Sequence, residues 1–356
     1  MSPAKKSPLS GKIQTVLGPI EPDQLGITQT HEHLLIDMNC YFEAPDAASE
    51  RAWITADVTI ENLSGAYRRW NYMPNAVQLF DEKVAIQEVL EFKYAGGNSL
   101  MDTTNIGLAR DPLALTRISR ATGLNVIMGA SHYVPASYPA DMDKRSEQAI
   151  TDQIIRDLTV GVVDTGVRSG FIGEVGNFWP TNPTTLKVLR ASAHAAIETG
   201  AAILIHPGYD PASPPHIMET LTKAGADPKR IIMGHLDIFE YDSKWIKDLA
   251  QTGCYMEWDT FGLEDTTVTG GNLTSARIAS DVQRMEILEY VISEGFGNKI
   301  VIAHDVCTKM QYTRYGGKSY GHILTNIVPR MRKRGFTEKQ INAILVDNPK
   351  TVLAFK

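Results

Sequence analysis

Short apolar runs alternate with longer helical patterns along most of this chain, and this alternation constrains its fold more than any other feature. Eight runs have the apolar and β-branched character of buried strands. They lie at 26–31, 99–104, 125–131, 169–174, 201–206, 230–235, 253–259 and 299–305. Helical patterns between them cover 81–94, 113–122, 147–160, 183–199, 216–224 and 276–294. Strands that alternate with helices pair in parallel through helical crossovers, so the sequence predicts an α/β fold with eight parallel strands.

Eight such units fit a (β/α)8 TIM barrel, and 356 residues lie within the length of a single barrel domain. We therefore predict one domain over residues 1–356. The alternative is an open doubly wound sheet. That fold would more often carry a glycine-rich phosphate-binding turn after its first strand, and this sequence has none there.

Several stretches depart from the alternation. Residues 1–11 are expected to form a disordered lead, and residues 12–25 predict a short N-terminal hairpin that turns at Gly18-Pro19. The long interval 34–80 predicts an insert of loop and helix after the first strand, beside the barrel mouth. The polar, glycine-rich stretch 260–272 predicts a mobile lid after the seventh strand. Residues 325–356 are expected to be helical.

The composition of the chain indicates which classes of partner and which cellular compartment to expect. The chain is 43% apolar and 21% charged, with a net charge of -6 and no long run of one sign. We therefore expect neither nucleic acid nor a membrane as a partner. No apolar run is long enough for a transmembrane helix, and residues 1–12 lack the apolar segment of a signal peptide. The three cysteines are too few and too far apart for a disulfide framework, so we expect a cytoplasmic location.

Metal-ligand residue types follow several of the predicted strands. The first strand ends in His31-Glu32-His33, and residues two apart in a strand point to the same face, where two imidazoles can hold a metal ion. Barrel enzymes place their chemistry at the C-terminal ends of strands. A single histidine there is most simply a hydrogen-bonded polar residue, but six ligand types at the strand ends of one barrel predict a metal centre. The other four are Glu174, His206, His235 and Asp305.

Four histidines and two carboxylates suit two divalent cations. Two ions about 3.5–4 Å apart can share a water molecule, lower its pKa toward neutrality and polarise a carbonyl or phosphoryl oxygen. An aspartate on the last strand can take the proton from that water and return it to the leaving group. We therefore predict a metal-dependent hydrolase with Asp305 as its catalytic residue.

The same residues, with several longer segments, resemble the phosphotriesterase branch of the binuclear amidohydrolases, and within it the phosphotriesterase-related proteins. The resemblance covers essentially the whole chain and is carried by segments 11–18, 28–33, 172–176, 205–208, 303–305 and 315–326. It implies one cation held by His31, His33 and Asp305. It also implies a second cation held by His206 and His235, with Glu174 bridging the two.

The resemblance also implies a substrate class. Bacterial phosphotriesterases carry a carboxylated lysine where this chain has Glu174, so metal binding is expected to need no bicarbonate, and an organophosphate is a less expected substrate. The related-protein subgroup includes a hydrolase of N-acetyltaurine. We therefore expect cleavage of a small N-acyl substrate, such as N-acetyltaurine or an N-acyl amino acid, by attack of a metal-bridging hydroxide. Zinc is the expected metal, manganese, iron and cobalt are also compatible, and the habit of the family is a homodimer.

Two other functions stay open from the sequence. The same site would suit a lactonase or a phosphotriesterase, and a barrel that only binds a small molecule is a third possibility, against which six intact ligands argue. Tyr133, Trp179 and Tyr209 follow strands three, four and five and are candidates to contact the substrate. An anionic head group would need a cationic partner. The candidates for that partner are Arg277, Lys309 and Arg314, although each is more simply a solvated surface charge.

Overall fold

A computed structural model of the protein describes residues 9–239, 242–264 and 278–356. Its strands are β1 (Ile13–Thr15), β2 (Gly18–Ile20), β3 (Thr28–Glu32), β4 (Ile36–Asp37), β5 (Gln78–Leu79), β6 (Ser99–Asp102), β7 (Asn125–Ala130), β8 (Phe171–Gly176), β9 (Ile203–His206), β10 (Ile231–Met233), β11 (Tyr255–Trp258) and β12 (Ile300–Ile302). All eight predicted runs contain a strand, with ends that differ from the prediction by at most three residues.

Eight of these strands form one parallel sheet in the order β12-β11-β10-β9-β8-β7-β6-β3. Apart from the insert between β3 and β6, each strand therefore lies beside the next one in the chain, as in a barrel rather than in a doubly wound sheet. The two edges meet, because the backbone N–H of Asp305 beyond β12 donates to the carbonyl oxygen of His31 in β3 (3.1 Å). The predicted (β/α)8 architecture is confirmed as a nearly closed barrel.

The helices are α1 (Leu63–Arg68), α2 (Glu82–Tyr94), α3 (Pro112–Thr122), α4 (Glu147–Thr159), α5 (Pro183–Thr199), α6 (Ser213–Lys223), α7 (Ser243–Gln251), α8 (Asp281–Ser293), α9 (Val328–Arg334), α10 (Glu338–Asn342) and α11 (Asn348–Leu353). Side-chain caps fix several starts: Asp111 accepts from the backbone of Ala114, and Ser280 from that of Gln283. None of the described helices is both long and apolar enough to cross a lipid bilayer.

Two predictions for the N-terminal region need correction. Residues 1–8 of the predicted lead lie outside the described residues, but Leu9 is buried and the N–H of Gly11 bonds the carbonyl of Phe355, so residues 9–11 are packed rather than disordered. The predicted hairpin exists, as β1 pairs with β2. Its turn lies at residues 16–17 instead of Gly18-Pro19, because the Thr15 hydroxyl bridges the Leu17 N–H and the Gly18 carbonyl.

The interval after β3 is an insert, as predicted. Strands β4 and β5 pair in antiparallel fashion at its base, and α1 lies between them in the chain. The insert contributes Met38, Tyr41, Tyr67 and Trp70 to the wall of a cavity at the barrel mouth. Of the predicted lid, residues 265–272 lie outside the described residues. The predicted helical end of the chain is confirmed by α9, α10 and α11.

The barrel interior is filled by apolar side chains. The cluster inside the strands includes Met101, Leu204 and Val301, each with at most 1% of its surface exposed. Leu25 and Leu353 join the same cluster from outside the sheet. In such barrels the open end, where the C-terminal ends of the strands meet, carries the chemistry.

Candidate metal centre

The two histidines of β3 and its exit are brought together as the alternation of the strand predicts. His31 and His33 are both buried, and their ring centroids lie 5.8 Å apart. The Nε2 atom of each ring lies 3.5 Å from a carboxylate oxygen of Glu174 in β8. The first strand thus delivers two imidazole nitrogens to one carboxylate.

Glu174 also contacts the other two histidines. Its Oε2 atom lies 3.0 Å from Nδ1 of His206 at the end of β9 and 3.4 Å from Nε2 of His235, which follows β10. Asp305, beyond β12, has its Oδ1 atom 3.2 Å from Nε2 of His33 and is the most exposed of the six, with 18% of its side chain accessible. The structure therefore brings all six predicted residues together around the Glu174 carboxylate.

The donor set fits divalent cations. Groups of three ligand atoms within 4.8 Å of one another combine Glu174 with His31 and His33, and Glu174 with His206 and His235. Nδ1 of His235 faces a carboxylate at 2.8 Å, so a ring that gives up its other proton to bind a cation presents a lone pair at Nε2. This Nε2 atom faces Nδ1 of His206 at 2.8 Å. Nε2 of His31 is buried without a hydrogen-bond partner. A cation would satisfy these nitrogen atoms.

Two further carboxylates, Glu257 and Asp259, support the histidines from the end of β11, and the sequence analysis did not assign them a role. Nδ1 of His31 lies 3.0 Å from Oε2 of Glu257 and 3.1 Å from Oδ2 of Asp259. Nδ1 of His235 lies 2.8 Å from Oδ1 of Asp259. The sequence did contain a signal for these two carboxylates. Glu257 and Asp259 lie two residues apart at the end of the seventh predicted strand, which is the same spacing that drew attention to His31 and His33 at the first.

The charges at the centre attract cations. Burial alone would raise the pKa of Glu174, but the nearby imidazoles of His31 and His206 hold it well below its usual range. Burial likewise opposes ionisation of Asp259, yet His235 and His31 hold its pKa below the usual range. Burial, with the charge of Asp259 beside it, raises the pKa of Glu257 to about 7. Glu174 and Asp259 are therefore buried anions near neutral pH. Although burial opposes it, these carboxylates raise the pKa of His31 and His235 well above the usual range in the metal-free protein, so a bound cation would replace imidazole protons.

A cavity of about 120 Å³ opens above the centre and has mainly apolar and aromatic walls. Asp305, His206 and His235 form its floor, and Tyr133 and Tyr209 line it as predicted. The remaining wall includes Tyr41, Tyr67, Trp70, Ile238, Leu263, Ile278 and Met310. The cavity is large enough for several water molecules and suits a small substrate.

Three phenol groups meet beside His206. The Tyr133 hydroxyl lies 3.4 Å from Nδ1 of His206, and the Tyr209 hydroxyl lies 3.3 Å from its Nε2. The Tyr41 hydroxyl is 2.9 Å from that of Tyr133. Burial raises the pKa of Tyr133 well above its usual range, so its hydroxyl stays protonated and can donate. Tyr41 was missed from the sequence because it lies in the insert, far from any strand end.

The structure does not bring every predicted substrate residue to the cavity. Trp179 is not part of the cavity wall: its ring packs on that of His216, and 38% of the residue is exposed. Lys309 bonds Asn75, and Arg314 lies over Tyr315, so neither reaches the cavity. Arg277 lies outside the described residues. No lysine or arginine among the described residues lines the cavity.

Comparisons with known proteins agree with this geometry. The sequence model of the Phosphotriesterase family matches residues 11–353. An N-acetyltaurine hydrolase from Salmo salar is 40% identical over 351 residues, which cover 98% of this chain and 100% of that protein. A phosphotriesterase-related protein from Nematostella vectensis is 41% identical, with 98% and 99% covered. The crystal structure of a resiniferatoxin-binding protein from Rhodobacter sphaeroides superposes with a TM-score of 0.94 at 31% identity, covering 99% and 98%.

Proposed function

The chain belongs to the phosphotriesterase family of metal-dependent hydrolases, and from that premise we propose that it holds two divalent cations and cleaves the amide bond of a small N-acyl substrate. N-acetyltaurine and N-acyl amino acids are the proposed substrates. The observation that carries the proposal is the contact of one carboxylate, Glu174, with all four histidines at distances between 3.0 and 3.5 Å.

Glu174 divides the ligands into two sets. We assign one cation to His31, His33 and Asp305, and the other to His206 and His235, with Glu174 shared by both. Zinc suits this mixture of imidazole and carboxylate, and manganese, iron or cobalt would also fit. Bound there, two such ions supply a polarised water molecule as nucleophile and Lewis-acid stabilisation of the acyl oxygen.

The chain's own residues account for the other requirements of amide cleavage. Asp305 combines contact with His33 (3.2 Å) and partial exposure to the cavity, so it can take a proton from the nucleophilic water and give it to the leaving amine. Tyr133 and Tyr209 present protonated hydroxyls beside His206, where they can donate to a substrate oxygen. The apolar wall excludes bulk water from the reacting bond.

The substrate proposal rests on two independent supports. Relatives that are 38–40% identical over nearly the whole chain, including the human protein, are named N-acetyltaurine hydrolases. The cavity of about 120 Å³ above the centre is of a size for a small acyl group and a short amine half. None of the described residues that line it is a lysine or arginine, so the described wall supplies no cation for the sulfonate or carboxylate of these substrates.

A second candidate function is the binding or hydrolysis of a more apolar molecule. The aromatic lining favours it, and the Rhodobacter sphaeroides protein with the same fold is named for binding resiniferatoxin. A lactonase or phosphotriesterase would use the same centre, and a barrel that binds without catalysis would use the same cavity.

Kinetics with matched substrates test the proposal. Protein loaded with zinc would be assayed with N-acetyltaurine, N-acetyl amino acids, a lactone series and an aryl phosphotriester, each also with Asp305→Asn protein and after chelation. We expect amide turnover that needs metal and falls at least about 100-fold in the variant. Turnover of lactones alone would replace the amidase proposal by the lactonase. Binding without turnover of any class would favour the inactive barrel.

A further inference from the structure

One buried carboxylate contacts histidines that belong to different cations in the proposed centre. Asp259 follows β11 and is fully buried. Its Oδ1 atom accepts a hydrogen bond from Nδ1 of His235 (2.8 Å), and its Oδ2 atom lies 3.1 Å from Nδ1 of His31. Both contacts use the ring nitrogen that faces away from Glu174. Asp259 therefore touches both sets of ligands from behind.

These contacts determine which nitrogen of each ring can bind a cation. An ionised carboxylate only accepts hydrogen bonds, so a ring that faces it with Nδ1 keeps its proton there. When the ring binds a cation, Nε2 then presents its lone pair to the centre, at 3.5 Å from Glu174 for His31 and 3.4 Å for His235. For His31, Asp259 shares this role with Glu257, which also faces Nδ1 (3.0 Å). A carboxylate on the outer nitrogen also makes an imidazole a better ligand.

Asp259 also holds the backbone at His235. His235 has a φ angle of +53°, in the left-handed region that residues other than glycine rarely adopt. Oδ2 of Asp259 accepts the backbone N–H of this residue at 2.9 Å. Gly234 permits the approach, since a Cβ atom there would lie 3.1 Å from the same oxygen. One carboxylate thus fixes both the ring and the main chain of His235.

Glu257, the other buried carboxylate of β11, contacts fewer of the predicted ligands than Asp259 does. It is equally buried and also comes from the end of β11, and its Oε2 atom accepts from Nδ1 of His31 at 3.0 Å. Among the predicted ligands in the described part of the chain, Glu257 makes a hydrogen bond or ion pair with His31 alone. Removal of the Glu257 charge therefore disturbs one ligand set, whereas removal of the Asp259 charge disturbs two.

We propose that Asp259 is a positioning residue that links the two cation sites, so that the affinity of both depends on this single carboxylate. The inference rests on the proposed centre, and it goes beyond it by making the two sites lose their cations together. It assigns Glu257 a narrower role, limited to the cation held by His31.

Zinc titration of wild-type, Asp259→Asn and Glu257→Gln proteins against a chromophoric chelator tests the link, with bound metal counted by elemental analysis. We expect Asp259→Asn to weaken both sites by about 10- to 100-fold and Glu257→Gln to weaken only one. Two sites of wild-type affinity in Asp259→Asn, or loss at one site alone, would overturn the inference. Fewer than two sites in the wild-type protein would instead count against the proposed function.

A second measurement distinguishes a role of Asp259 in metal binding from a role in the stability of the fold alone. Urea unfolding of the metal-free proteins reports the contribution of Asp259 to the fold, and zinc affinity reports its contribution to the centre. A loss of metal-free stability with unchanged zinc affinity would contradict the proposal. If Asp259→Asn does not fold, Asp259→Glu keeps the charge but displaces the carboxylate by one methylene, and it is expected to weaken both sites as well.

Discussion

At the scale of single residues, Glu174 is the group on which the proposed centre depends most, because its carboxylate contacts all four histidines. Glu174→Gln keeps the size of the side chain but removes its charge. We expect the variant to hold fewer than two zinc ions and to lose at least about 100-fold in activity, since a neutral amide cannot bridge two cations. Elemental analysis and amide kinetics check this, with Glu338→Gln at the surface as control. Two tightly bound ions in Glu174→Gln protein would contradict the bridging role.

His132 gives a pH dependence that is separate from the metal centre. Burial, together with the charges of Arg145 and Arg110, lowers the pKa of His132 to about 4. The unfolded chain takes up the proton near pH 6.5, whereas the folded protein resists it, so stability falls as the pH drops from 6.5 toward 4. Between pH 7 and pH 5 the loss is about 2 kcal/mol.

The measurement compares urea unfolding of metal-free wild-type and His132→Gln protein at pH 7 and pH 5. The variant has no group to titrate at this position, so its loss of stability over the interval should be smaller than that of the wild type by about 2 kcal/mol. Equal losses in the two proteins would mean that His132 is not the responsible group.

At the scale of secondary-structure elements, the sequence predicted best where side-chain periodicity reports burial. The eight strands and α5 were found from apolar patterns, and the strand ends located Glu174 and the five other residues of the proposed centre. The hairpin turn was misplaced because a side-chain contact, the Thr15 hydroxyl bridging Leu17 and Gly18, decided it. Tyr41, which lines the cavity, was missed, and Trp179, which was a candidate, lies outside the cavity wall. The reason is related: strand order does not determine how a loop packs against its neighbours.

Arg284 in α8 connects several segments around the barrel mouth, and its substitution tests how much these contacts stabilise the protein. This fully buried guanidinium bonds Asp237 (2.8 Å), Asp281 (2.9 Å) and the carbonyl of Leu263 (3.0 Å). Arg284→Met would leave the buried carboxylate of Asp237 without its cation, whereas Asp281 would keep its contacts with Lys318 (3.5 Å) and His322 (2.7 Å). We expect a loss of about 3–5 kcal/mol in the free energy of unfolding. Leu263 lines the cavity, so KM should rise as well.

The matched control for Arg284 is Arg334→Met, which removes a surface pair with Glu289 (2.7 Å). Exposed pairs contribute about 1 kcal/mol or less, so this variant should unfold almost like the wild type with unchanged KM. A similar, small effect of both substitutions would show that Arg284 does not hold the elements together.

At the scale of the whole molecule, the residues that stabilise the barrel and the residues of the proposed metal centre lie in different parts of the fold. Leu353 in α11 is fully buried and belongs to the apolar cluster inside the strands, whereas the six proposed ligands lie at the open end. Leu353→Ala leaves a cavity and should lower the free energy of unfolding by about 2–5 kcal/mol. Leu353 is not among the residues that line the cavity, so zinc stoichiometry and kcat/KM should stay within about twofold of the wild type at temperatures where the variant is folded. Denaturant unfolding, elemental analysis and amide kinetics on one preparation measure all three. A variant that keeps its stability but loses metal or activity would mean that the base and the mouth of the barrel are coupled.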